Sequence, residues 1–297
     1  MVNSSYKILV PTDFGEQSDF ALHQALHLSQ IVNGEIVLLY VLHEKKGILG
    51  KIFNKEQKKS FNTLIEEKLK EQSKAISEKH KVVVNTALLH STSISGEITK
   101  YADKIQAAII VMGKGAIYIH GKEVDGIGSN TSKVLRNSKI PVITVSNSQH
   151  SKGCDNILLP LDLTKETRQK VSWGIQFAKL FDSKIHVISG LWDTDNEFVV
   201  NKINAQMKQV TKFIKQQGVK VESEIIIPKQ GIEGIVPVIS TYVKKHPEID
   251  LTIIMTQQED DFTEFFIGSE ATSFIRGAKC PVMSIVPRKL DDVIIGM

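Results

Sequence analysis

The chain has 297 residues, 41% of them hydrophobic and 24% charged, with 37 Lys+Arg against 33 Asp+Glu for a net charge of +4. That is the length of about two globular domains, each large enough to bury a core. It contains neither a dense basic block of the kind that tracks phosphate backbones nor an apolar run near the ~18 residues that span a bilayer, so nucleic-acid and membrane partners are not expected.

In chain order, Ile8-Leu9-Val10 is a short apolar run ending in Pro11-Thr12-Asp13, a buried strand meeting a loop. Ser18 is placed to cap a helix in which Ala21, Leu22, Ala25, Leu26, Leu28 and Ile31 recur at helical spacing, and Asn33-Gly34 ends it. Ile36 to Leu42 is apolar throughout, as in a parallel strand covered on both faces. A Lys- and Gly-rich loop leads into a charged amphipathic helix reaching about Lys79, in which Lys55, Lys58 and Lys59 alternate with Glu56, Glu66 and Glu67 as a solvated face. Val82 to Leu89 is a third strand, Gly96 to Ile105 a helix and Ala107 to Met112 a fourth strand. A Gly-rich loop, a short helix at Thr131 to Asn137 and a strand from Pro141 to Val145 follow.

The order then returns. Lys7 to Asp13 is echoed by Asn156 to Asp162, and Gly128-Ser129 with Lys139-Ile140-Pro141-Val142 by Gly268-Ser269 with Lys279-Cys280-Pro281-Val282. A period of about 140 to 150 residues is domain-sized, too long for a solenoid unit. The second set of strands lies near 157–159, 185–188, 221–227, 251–255 and 282–286, and its helices near 165–181, 197–217, 232–245 and 271–276. The expected fold is α/β: two doubly wound domains, 1–146 and 156–288, each a five-stranded parallel sheet flanked by helices. The polar stretch Ser146 to Asp155 joins them, and the apolar last strands 143–145 and 284–286 suit an intrachain pseudo-dimer better than bare edges.

Ligands of a doubly wound sheet sit beyond the carboxyl ends of its strands. In the first half these ends are Pro11-Thr12-Asp13, Val41-Leu42-His43, Leu89-His90 and Met112-Gly113-Lys114-Gly115. Glycines there allow close approach of a ligand, and Gly128-Ser129-Asn130-Thr131 opens a helix whose N-terminus suits phosphate. Ser129 and Thr131 add hydroxyls, and Asp13 is an acceptor for a ribose or an adenine amino group. The same residues have plainer readings: turn glycines, Ser129 or Asn130 as a helix cap, and Asp13 closing an Asx turn in its own loop.

Strand-Pro-Thr-Asp, then Val-Met-Gly, a long loop, Gly-Ser, a short helix and Ile-Pro-Val resembles the universal stress protein family, over essentially the whole chain and twice in tandem. The resemblance implies a cytoplasmic stress-response protein that is not an enzyme, with an ATP or AMP site in those members that carry the loop Gly-x2-Gly-x9-Gly-Ser/Thr. It also implies pairing through the last strand, here between the two halves, and leaves room for a homodimer beyond that. Protein partners are not named by it. Carried over, the site is Pro11, Thr12, Asp13, Val41 beside the base, Met112, Gly113, Gly115, Gly128, Ser129 and Asn130. The loop departs from the pattern. Counting from Gly113 puts Ala116 at the second glycine and makes the loop two residues too long for the pattern; counting from Gly115 fits Gly128 but puts Tyr118 there.

In the second half Asp162 and Gly268-Ser269 recur, but Thr256 follows Met255, and Glu259, Asp260 and Asp261 would face the phosphates. No cofactor is expected there, because like charges at close range oppose binding. Two alternatives stand beside nucleotide binding: a ligand-free interaction or adaptor module with degenerate pockets, and a metal-binding variant using His43, His90 and His120 beside Asp13, although no known zinc spacing is present. His23 and His27 share a helix face and are expected at the solvent. Cys154 and Cys280 form no metal pattern and fit a reducing compartment. The polar start Val2 to Tyr6 has no secretory apolar region, in keeping with the cytoplasm. The nucleophile elbow, the His-Glu-x-x-His zinc motif and the P-loop are all missing, no general base is set apart by its spacing, and Trp173 and Trp192 suit packing.

Overall fold

The computed structural model describes residues 6–44, 55–115, 117–119, 122–124, 126–146, 154–161, 167–256 and 269–286. The chain divides into two compact units, Met1–Ser151 and Lys152–Met297.

The first unit runs β1 (Lys7–Pro11), α1 (Glu16–Val32), β2 (Glu35–His43), α2 (Lys55–His80), β3 (Val84–Ser91), α3 (Ile94–Lys104), β4 (Ile109–Gly113), β5 (Ile117–Ile119), β6 (Lys122–Val124), α4 (Ser129–Asn137) and β7 (Val142–Val145). Its main sheet has the order β3-β2-β1-β4-β7, all parallel. Ile8, Leu9, Val10, Ile36, Leu38, Leu39, Ile110 and Ile143 are almost wholly buried, which is why these strands read as unbroken apolar runs. Helix α1 buries Ala21, Leu22, Ala25, Leu26 and Leu28 and ends at Asn33 in the left-handed region. Gly34 follows because a Cβ there would lie 2.6 Å from the Tyr6 carbonyl oxygen.

The second unit runs β8 (Asn156–Pro160), α5 (Thr167–Phe181), β9 (Lys184–Gly190), α6 (Glu197–Gln216), β10 (Val221–Ile226), α7 (Ile235–Lys245), β11 (Leu251–Met255), α8 (Ser269–Gly277) and β12 (Val282–Ile285). Its parallel sheet has the order β10-β9-β8-β11-β12, the same winding as the first. Trp173, Phe177 and Phe181 form an aromatic row along α5, so Trp173 is a packing residue.

Three features differ from the sequence reading. Gly15, not Ser18, caps α1; Ser18 is buried in the first turn and its hydroxyl donates to the Gly15 carbonyl at 2.7 Å. Helix α3 starts at Ile94 because Ser93 accepts the Gly96 N–H, moving the N-terminus upstream. The loop after β4 contains the antiparallel hairpin β5–β6, with Ile117 opposite Val124.

At the base of the second sheet, the Asp250 carboxylate accepts the backbone N–H groups of Asp155 (2.9 Å) and Asn156 (3.2 Å), holding the entry to β8 against β11. Burial outweighs these donations and pushes the carboxyl up to about 7 from 3.8. Both cysteines are buried and free, and burial raises their thiols, with Asp250 adding to the effect. Because the folded Asp250 holds its proton more tightly than the unfolded one, its proton is stabilising below about pH 4, and that stabilisation fades as pH rises toward 7. The full gap is worth about 4 kcal/mol. We therefore expect the second unit's melting temperature to fall between pH 4 and pH 7, and Asp250→Asn to flatten that slope. An unchanged slope in the variant would place the titration elsewhere.

Candidate functional site

In the first unit the chain leaves β1 toward one side of the sheet and β4 toward the other, so the crevice lies between Pro11 and Gly113. The loop after β1 is knotted by its own side chains. Thr12 continues the ladder by donating its N–H to the Leu39 carbonyl at 2.9 Å. Its buried hydroxyl accepts the Phe14 N–H at 3.0 Å and meets the Ser18 hydroxyl at 3.1 Å. Asp13 is exposed and closes an Asx turn, its Oδ1 accepting the Gly15 N–H at 2.9 Å. Phe14 has φ +62°, uncommon for a bulky residue, and is steadied by stacking on Tyr40 at 5.2 Å between centroids with the Lys68 ammonium 4.4 Å from its ring.

Gly113 joins three elements. A Cβ on it would lie 2.5 Å from the Gln17 carbonyl oxygen, so α1 begins directly against the end of β4. Its own carbonyl accepts the Thr131 hydroxyl at 3.0 Å, which ties in the start of α4. Beyond it Gly115 has φ +84°, and a Cβ there would lie 2.9 Å from the Gly128 Cα. The Gly128 N–H donates to the Lys114 carbonyl at 2.9 Å, closing the neck of the loop that contains β5 and β6. Gly128 offers α4 no side-chain cap, and the first intrahelical donor is Ser132, onto the Gly128 carbonyl. The N–H groups of Ser129, Asn130 and Thr131 thus open the helix without intrahelical acceptors, an arrangement suited to an anion. Ser129 is exposed and Asn130 half-buried, while Thr131 is buried with its hydroxyl spent on Gly113.

Pro11 is half-buried, and Val41 and Met112 are buried near the ends of β2 and β4. The side chain of Tyr118 and the residues Ala116 and His120 lie outside the described residues. His43 and His90 stand at the ends of neighbouring strands, and His90 Nδ1 lies 3.3 Å from Glu44. Among the described residues no three His, Cys, Asp or Glu side chains gather as a metal site. His23 is exposed, whereas His27 is half-buried and its pKa is lowered, chiefly by burial.

The second unit repeats the strand ends with different occupants. The ladders set Leu9 opposite Ile110 and Leu158 opposite Thr252, and Gly113 opposite Val145 and Met255 opposite Ile285. Met255, not Thr256, therefore stands where Gly113 stands, and Thr256 takes the place of Lys114, each donating its N–H to the end of the last strand. The ladder register thus differs by one residue from the pairing of Gly113 with Thr256 that follows from setting Met112 beside Met255. Likewise, β1–β2 and β8–β9 registers place Gly190 where Val41 stands. The Trp192 ring lies directly on Gly190, where a Cβ would overlap it, and its Nε1 donates to the Ile232 carbonyl at 3.0 Å. Sequence reasoning placed Trp192 in packing without locating it at a strand end. Asp162, Gly268 and the acidic Glu259-Asp260-Asp261 lie outside the described residues, as do the side chain of Ser269 and its surroundings.

Twice, then, the chain builds a doubly wound five-stranded sheet, and in the first unit a glycine-lined strand end meets an uncapped helix start. The sequence model of the universal stress protein family matches residues 5–146 and 153–285, and the chain belongs to that family as a tandem member. It is 28% identical over 161 residues to a universal stress protein of Methanocaldococcus jannaschii, a match covering 47% of this chain and 93% of that one. Among solved structures, a universal stress protein of Archaeoglobus fulgidus superposes with a TM-score of 0.74 at 19% identity, covering 95% of this chain and 99% of that one. A protein of unknown function from Pseudomonas aeruginosa gives 0.65 at 17% identity, covering 96% and 93%. At these identities the structural likeness speaks for the fold. No helix among the described residues is long and apolar enough to cross a membrane.

The indole on Gly190 gives a direct check of the second unit. Gly190→Ala is expected to lift the ring from the strand and shift tryptophan emission to the red, with Trp192→Phe separating its signal from that of Trp173. Unchanged emission would mean that the ring is not seated on Gly190.

Proposed function

We propose that the protein is a cytoplasmic, non-catalytic stress-response protein whose first unit binds an adenine nucleotide, ATP or AMP. The observation that supports this most is the position of Gly113, whose backbone touches the start of α1 and receives the Thr131 hydroxyl of α4. In this reading the exposed Asp13 carboxylate and the open N–H groups of α4 line one crevice around it. In this reading the phosphates lie against the N–H groups of Ser129 and Asn130, with Gly115 and Gly128 leaving their approach free of side chains. The Asp13 oxygen not engaged by Gly15 accepts from the ribose, and the base lies toward Val41. Backbone N–H groups orient a phosphate but transfer no proton, which suits binding without turnover. The second unit stays empty of nucleotide, because Trp192 covers the place equivalent to Val41 and Met255 replaces Gly113.

Calorimetric titration with ATP, ADP and AMP tests the reading. Asp13→Asn keeps an oxygen for the Gly15 N–H and loses the outer acceptor, so affinity is expected to drop about tenfold with little change in stability. Asp162→Ala is expected to leave affinity unchanged. Absence of both heat and thermal stabilisation at millimolar nucleotide would reject the site in favour of a ligand-free adaptor. Loss of binding in Asp162→Ala with none in Asp13→Asn would move the site to the second unit.

A further inference from the structure

The two sheets are treated differently at their outer edges. In the first unit the Ser73 hydroxyl of α2 donates to the Val84 carbonyl at 2.6 Å, so the helix closes the start of edge strand β3. In the second unit the hydroxyl of Thr211 on the corresponding helix α6 is not turned to the edge strand but back onto the Met207 carbonyl of its own helix. Between α6 and edge strand β10 lies a groove of about 700 Å³. Its floor is apolar, from Met207 and Ile225, and its rim is basic, from Lys208, Lys212 and Lys215. These three lysines are exposed, none is ion-paired among the described residues, and no carboxylate lines the groove.

Among the described residues strand β10 pairs with β9 alone. The Lys220 and Ile226 carbonyls accept from Ile185 and Leu191 of the inner strand, so by the alternation of a parallel ladder the N–H and C=O groups of Val221, Ser223 and Ile225 point outward. Ser223 and Ile225 also face the groove with their side chains, whereas Glu222 and Glu224 alternate to the other face, where Glu222 pairs with Lys184. Among the described residues an open row of main-chain donors and acceptors thus runs beside a lysine rim with no carboxylate lining the groove.

We propose that this edge docks an extended acidic peptide of a partner protein, added as a sixth strand beside β10 with its carboxylates toward Lys208, Lys212 and Lys215. Main-chain bonding supplies affinity and the lysine rim supplies selectivity. A peptide is favoured over a nucleic acid because only a peptide answers the alternating donors and acceptors of the edge. The site is remote in sequence from the nucleotide crevice and independent of it.

The experiment is fluorescence anisotropy of the full chain with a labelled octapeptide alternating glutamate and valine. Saturable binding that weakens as salt rises is expected. Lys212→Glu, an exposed change compatible with folding, should weaken it about tenfold while leaving nucleotide titration unchanged. The same peptide N-methylated at alternate residues should bind at least tenfold more weakly, and its lysine–valine counterpart should not bind. No binding by the acidic peptide, equal binding of the methylated peptide, indifference to Lys212→Glu, or tighter binding of an oligothymidylate at the same groove would each overturn the proposal.

Discussion

Everything at the first unit's strand ends depends on how closely α1 approaches β4. A side chain on Gly113 would strike the Gln17 backbone, so the helix can start where it does only because this residue has no Cβ. That approach sets the length of the loop after β1, which is then short enough to be held by two of its own side chains, Thr12 and Asp13. It also leaves the Gly113 carbonyl free for Thr131, which fixes the start of α4. Gly115 and Gly128 repeat the principle one step further, backbone on backbone, and gather the intervening hairpin at a narrow neck. The placement of Asp13 and of the open α4 N-terminus follows from these steric facts.

The strands were legible because both faces of a parallel sheet are covered, which makes Ile36 to Leu42 and Leu251 to Met255 apolar throughout. The helices were legible from Ala21-Leu22-Ala25-Leu26 and its counterparts. The caps were not, because serines at 18 and 93 look alike in sequence while only Ser93 faces a free N–H. The hairpin carries a sequence signal of its own: Ile117-Tyr118-Ile119 is rich in β-formers and is parted from Lys122-Glu123-Val124 by His120-Gly121. The Asx turn at Asp13 was among the readings the sequence left open, and it coexists with an outward-facing carboxylate. The role of Gly113 in seating α1 was invisible, since the contact joins positions about a hundred residues apart. So was the groove beside β10, whose lysines read on their own as an ordinary solvated helix face.

The two units share a winding but not their strand-end chemistry. Ladder registers show a methionine in place of the seating glycine and a glycine under an indole in place of Val41. The second unit has its own features instead: the half-buried Asp250 carboxylate at the base of the sheet, two buried thiols and an open outer edge. A duplicated fold can keep the hydrophobic pattern that holds it together while each copy redistributes its polar groups, because the strand ends and edges contribute little to the core.

Gly113, Gly115 and Gly128 have one more consequence, for how such chains evolve. Gly113 and Gly115 are demanded by contacts between backbone atoms of the protein itself, and Gly128 lies close against Gly115, a Cβ on it meeting the Gly115 Cα at 3.3 Å. Selection for a folded first unit would preserve them even in a descendant that no longer met any small molecule. A glycine pattern of this kind therefore records the history of a backbone path, and a descendant's lost ligand would first be visible at positions the fold does not need, of which Asp13's outward oxygen is the clearest in this chain.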